Sequence, residues 1–140
     1  MRYIKTGVVC REIARLLFGN EDKRSTQRLD DALTAIDKSI FLKAAIRSIK
    51  PDEGFIIDAL RFSDDLTIAN SLGCTTIRIV APPSLRHERL VQRGQVFDPN
   101  TDGDHRSETE LDQAEVDAEV ANEGELSAFY TALDVVLARK

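Results

Sequence analysis

Gly54-Phe55-Ile56-Ile57-Asp58-Ala59-Leu60-Arg61 is the stretch that decides the fold class. Its apolar run is short and follows the turn residues Pro51-Asp52-Glu53-Gly54, the pattern of a strand buried in a parallel sheet. Asp58 stands where such a strand reaches its carboxyl end, and ligands of open α/β sheets bind there. A carboxylate at that point can hold the water shell of Mg²⁺. Arg61, three residues on, can fork onto a phosphate. Taken alone, the segment equally describes a strand and a helix whose Arg makes a surface ion pair.

Downstream, Ser63 caps a helix running to Leu72, with Asp64 and Asp65 in its first turn, and Gly73 ends it. Residues 75–80 form a strand rich in β-branched side chains. Pro82-Pro83 closes that strand, and Ser84 caps a basic helix to about Arg93. Residues 97–107 are a loop; helices resume from about Glu108 and again over residues 123–138. Upstream, residues 25–49 fit one long helix carrying Leu29, Leu33, Ile36, Ile40, Phe41, Ala44, Ala45 and Ile49 at close to the helical period. Residues 7–18 form another, with Val8, Val9, Ile13, Leu16 and Leu17 on its apolar face and Gly19-Asn20 at its exit. Arg2 to Lys5 is a short opening strand. Alternating strands and helices imply right-handed βαβ units and a parallel sheet.

The chain has 140 residues, which suits one domain, here residues 1–140. With 42% hydrophobic and 31% charged residues it reads as globular, not disordered. No apolar run spans a bilayer and no signal-peptide pattern opens the chain, so a cytoplasmic protein without membrane contact is expected. Cys10 and Cys74 lie in apolar surroundings without metal-ligand spacing and are expected as buried thiols. Residues 1–97 carry a net +4 and residues 98–125 a net −10, within an overall −5. That balance argues against a duplex nucleic-acid partner, while the positive body can hold a small anion. The acidic stretch reads as a solvated helix pair and loop.

Two further constellations bear on anion binding. Thr6-Gly7 leads into a helix with Arg11 about one turn in, so free N–H groups and a guanidinium can grip an anion; taken alone, a plain helix start with an exposed Arg is the stronger expectation. Arg86, Arg89 and Arg93 recur at i, i+3 and i+7, which puts three guanidinium groups on one helical face. A nucleotide triphosphate suits such a face, as does plain solvation balanced by Glu88. Asp98, Asn100, Asp102 and Gly103 match the start of a Ca²⁺ loop. Thr109 stands where the bidentate Glu belongs and Pro99 intrudes, so an acidic turn is the stronger expectation there. His87 and His105, the only histidines, build no nucleophile–base pair.

In order and spacing, Thr6-Gly7 with Arg11, the stretch Gly54 to Arg61, and Arg89-Leu90-Val91-Gln92-Arg93 resemble the adenylate-kinase and deoxynucleoside-monophosphate-kinase branch of the P-loop NTPases. Asn122-Glu123-Gly124-Glu125-Leu126 is similar to a helix start common in such kinases. The resemblance implies a three-layer αβα parallel sheet with a lid-like segment at about 94–112. It implies Mg²⁺-dependent phosphoryl transfer from ATP to a nucleoside monophosphate or similar phosphorylated acceptor. Thr6, Gly7, Arg11 and Arg61 would hold the acceptor phosphate, Asp58 would stand near Mg²⁺, and Arg86, Arg89 and Arg93 would meet the donor phosphates.

The departures are specific. The family's Gly-x-x-x-x-Gly-Lys-[Ser/Thr] loop precedes the Thr-Gly element, and no such run occurs in this sequence. Its backbone N–H groups and Lys hold the donor phosphates, so catalysis by this chain alone is not expected from these residues. Ala59 and Leu60 replace the usual Gly-Phe-Pro. The strand ahead of that loop lies mid-sheet in the family, between the strands at about 55–60 and 75–80. Its loss exposes two apolar edges. Three situations are therefore expected: a truncated product, a strand supplied by a partner or a second copy, or a sheet closed in a new order. The alternative function is a degenerate, non-catalytic module that binds a nucleotide or a protein partner.

Overall fold

The structure is a computed structural model and describes residues 1–47, 49–50, 52–94 and 109–138. Among them it contains six helices and two two-stranded parallel sheets, a mixed α/β fold. The chain divides into two compact units, Met1–Ile68 and Ala69–Lys140.

In the first unit β1 (Arg2–Lys5) alternates, with Ile4 buried and Tyr3 and Lys5 on the opposite, open face. It passes directly into α1 (Thr6–Phe18), which ends at Gly19 in the left-handed conformation that glycine enters without steric cost. α2 (Lys23–Thr34) is capped by Asp22, whose carboxylate accepts the Ser25 N–H at 2.7 Å.

The single helix expected over residues 25–49 is two helices, α2 and α3 (Ile40–Ile46). The break comes from Asp37: its carboxylate accepts the Ser39 N–H at 3.0 Å and pairs with Lys43 at 2.6 Å. Such a local bond offers the backbone an alternative to helix. The turn leaves Ile36 78% exposed and puts Phe41 and Leu42 into the core. That core is Cys10, Ala14, Leu29 and Phe41, packed by Val9, Ile13, Leu33 and Ile40 from the three helices.

β2 (Phe55–Asp58) pairs in parallel with β1, Arg2 opposite Phe55 and Lys5 opposite Asp58. It stops at Asp58, short of Leu60, because Ala59 takes φ 62°, a region costly for a residue with a Cβ. α4 (Ser63–Ser71) follows, with Asp64 and Asp65 in its first turn as expected.

In the second unit β3 (Ile77–Val80) leads to α5 (Pro83–Gln92). Pro82, not Ser84, is the residue before the helix, and Pro83 takes the first helical position, where its missing N–H costs nothing. β4 (Ala118–Ala121) is a strand inside the stretch expected to be helical after Glu108, and it pairs in parallel with β3. Thr76 and Asp117 lock the entry to this pair. The Thr76 N–H and hydroxyl donate to Asp117 Oδ2 at 2.7 and 2.8 Å, and the Asp117 N–H donates to Thr76 Oγ1 at 3.0 Å. Val120 is 3% exposed, and α6 (Leu126–Leu137) packs beside β4.

Cys74 is half-buried rather than buried, and neither thiol is in a disulfide. Asp98, Asn100, Asp102 and His105, together with most of the lid-like segment, lie outside the described residues. Among the described residues no helix is long and apolar enough to cross a membrane.

Candidate functional site

The carboxyl end of the β1–β2 pair gathers Thr6, Gly7, Arg11, Asp58 and Arg61 from the sequence reading into the first unit. α1 begins straight after Lys5, and no side chain caps its first N–H groups. Arg11 folds back over this first turn: a Cβ placed on Gly7 would lie 3.6 Å from its Nη1. The guanidinium thus lies in van der Waals reach of the first turn.

Arg61 follows β2, three residues past Asp58, and its charge is felt at Cys10. The Cys10 thiol, one turn into α1, is pushed up by burial and by the Asp30 carboxylate, and pulled down by the charges of Arg61 and then Arg11. Both guanidinium groups therefore act on one buried thiol. Neither makes an ion pair with another described residue.

The loop that delivers Arg61 is held by Asp65. This carboxylate is 4% exposed, and its Oδ2 accepts the backbone N–H groups of Arg61 and Phe62 at 3.1 and 3.2 Å. The reach-back from the first turn to the residues ahead of the helix is a capping-box arrangement. Oδ1 of Asp65 is buried without a hydrogen-bond partner among the described residues. The sequence placed Asp65 only as a helix-dipole residue; the Asp-Asp pair after Ser63 was the available signal.

Asp58 ends β2 half-buried, and its Oδ2 accepts the Tyr3 hydroxyl at 2.7 Å. That bond, together with burial and the carboxylate charge, raises the Tyr3 phenol above its ordinary value. The Lys5 ammonium lies 4.8 Å from the centroid of the Tyr3 ring. The sequence reading missed both Tyr3 and Lys5, although period-two alternation in β1 was enough to put them on one face.

The arginines of α5 belong to the second unit. Arg89 is half-buried, and its Nη1 donates to the Asn122 carbonyl at 2.9 Å, fastening α5 to the chain just after β4. Arg86 and Arg93 are exposed. Arg78, which the sequence left without a role, donates to the carbonyls of Leu111 and Ala114 and pairs with Glu119 at 3.4 Å. Those bonds tie residues 111–114 to the sheet.

No protein-family model and no curated protein matches this chain.

Proposed function

We propose that this chain is a nucleoside-monophosphate-kinase-like protein of the P-loop αβα type, and that its first unit is the half that binds the acceptor phosphate. The observation that carries this is that Arg11 folds over the first turn of α1 at Gly7, while the charges of Arg61 and Arg11 both act on Cys10, one turn further on. Two guanidinium groups without an ion pair among the described residues, one of them folded over N–H groups that no side chain caps, favour a dianion. The strand pairing supports the family reading as well. β2 pairs with β1 and β3 with β4, each pair parallel, as the family's neighbouring strands do.

Mg²⁺ and ATP enter only by the resemblance. Mg²⁺ keeps most of its waters and is held through one or two carboxylates plus phosphates. Asp58, with Oδ2 on Tyr3 and Oδ1 open among the described residues, fits such a partner. The ion would supply charge neutralisation on the phosphates.

A non-catalytic nucleotide-binding module is the second reading. Two observations favour it for this sequence: no Gly-x-x-x-x-Gly-Lys-[Ser/Thr] run is present, and Arg89 is already committed to the Asn122 carbonyl. Binding of nucleoside monophosphates, compared between the native chain and Arg61→Ala, tests the shared claim. Turnover with ATP then decides between the two, and binding without turnover selects the module.

A further inference from the structure

Lys5 and Asp58 stand directly opposite each other at the carboxyl end of the parallel pair, on one face of the sheet. Neighbouring strands run about 4.8 Å apart, so opposite charges in register are placed to form an ion pair. They do not form one. The Lys5 ammonium instead folds back along its own strand onto the face of the Tyr3 ring, and Asp58 turns its Oδ2 to the Tyr3 hydroxyl. Tyr3 sits two residues before Lys5, on the same face, and is itself 57% exposed. One side chain thus holds both charges, the cation on its ring and the anion on its tip.

We propose that Tyr3 is a positioning residue that keeps Lys5 and Asp58 from neutralising each other, so that the ammonium stays available to a phosphate oxygen and the carboxylate to the water shell of a cation. What the two charges serve rests on the kinase-like reading; how Tyr3 separates them rests on the strand register alone. The arrangement is inexpensive because each charge keeps a partner and remains in contact with water. An ion pair between exposed side chains gains little at such a site. A cation held over an aromatic face and a carboxylate on a phenol are of comparable strength.

The test is a double-mutant cycle with Lys5→Met and Asp58→Asn, read as unfolding equilibrium constants in urea and run on the native chain and on Tyr3→Leu. The expected result is coupling below about 2-fold between Lys5 and Asp58 in the native chain, where they meet only through Tyr3. In Tyr3→Leu, where the two collapse onto each other, coupling of about 2–5-fold is expected. Coupling of that size already present with Tyr3 in place overturns the proposal, as does its absence in Tyr3→Leu. Should Tyr3→Leu not fold, Tyr3→Phe carries the same cycle, because loss of the hydroxyl alone frees Asp58 to reach Lys5. Titration of magnesium pyrophosphate into the native chain and Tyr3→Leu tests the use of the charges, with weaker binding expected in the variant. If the native chain takes up no magnesium pyrophosphate, the kinase-like reading of Asp58 falls, while the cycle still decides the role of Tyr3.

Discussion

The two units are held together by different physics. In the first, three helices close on an apolar core of Cys10, Ala14, Leu29 and Phe41, with Leu42 and Ile4 buried beside it. In the second, neither α5 nor α6 has a buried residue, and Leu126, Tyr130, Val135 and Leu137 of α6 are about half exposed or more. Beside the small apolar residues Ala69 and Val120, what fixes the second unit is polar and directional: the Thr76–Asp117 clasp, the Arg78 bonds to two carbonyls, and the Arg89 bond to Asn122. Apolar burial is tolerant of direction and scales with area, whereas a buried donor must find its one acceptor. The first unit is therefore sensitive to volume, the second to single hydrogen-bond partners.

The largest effect expected from this contrast is that of Leu42→Ala. Leu42 is 1% exposed, and its truncation removes about 2–5 kcal/mol from stability measured by urea unfolding. A loss under about 1 kcal/mol would erase the distinction between the units. Next comes Asp117→Ala, which strips the acceptor from two Thr76 donors on a residue only 7% exposed and costs about 1–3 kcal/mol. Thr76→Val, which removes the hydroxyl as well, recovers part of that cost if unpaired donors are its source.

A smaller effect belongs to the cap of α2. The Ser25 N–H bond holds the Asp22 carboxyl below its usual range, and the Lys43 bond does the same for Asp37. Both carboxyls thus contribute stability that is present above the ordinary carboxylate range and lost as pH falls through their lowered values. Helicity followed by circular dichroism on acidification should drop later in the native chain than in a variant carrying Asp22→Asn and Asp37→Asn. The smallest effect is that of Tyr130→Ser on the open side of α6, which changes stability by no more than about 0.5 kcal/mol. A large loss there would mean that α6 is packed after all.

The elements whose apolar spacing has one period were legible in the sequence: α1, β2, α4, β3 and α6 lie close to where it placed them. The division between α2 and α3 was not, because Ile36 and Ile40 carry the helical period straight across the turn. The break depends on one carboxylate, Asp37, choosing the Ser39 N–H. β4 was hidden by its acids. Val116, Ala118 and Val120 alternate with Asp117 and Glu119, and the charge of the region masked that period-two signal. Of the candidate site, Arg11, Asp58 and Arg61 were named from motif order. Tyr3 was not, since its bond to Asp58 joins residues 55 apart and exists only once the β1–β2 register is set.

The most direct measurement is isothermal titration of the chain with nucleoside monophosphates and with ATP, in parallel with Arg11→Ala and Arg61→Ala. The account predicts binding of a monophosphate that either substitution weakens about tenfold or more, the worth of one charge-assisted hydrogen bond. Binding of no monophosphate by the native chain, or binding indifferent to both arginines, would contradict it.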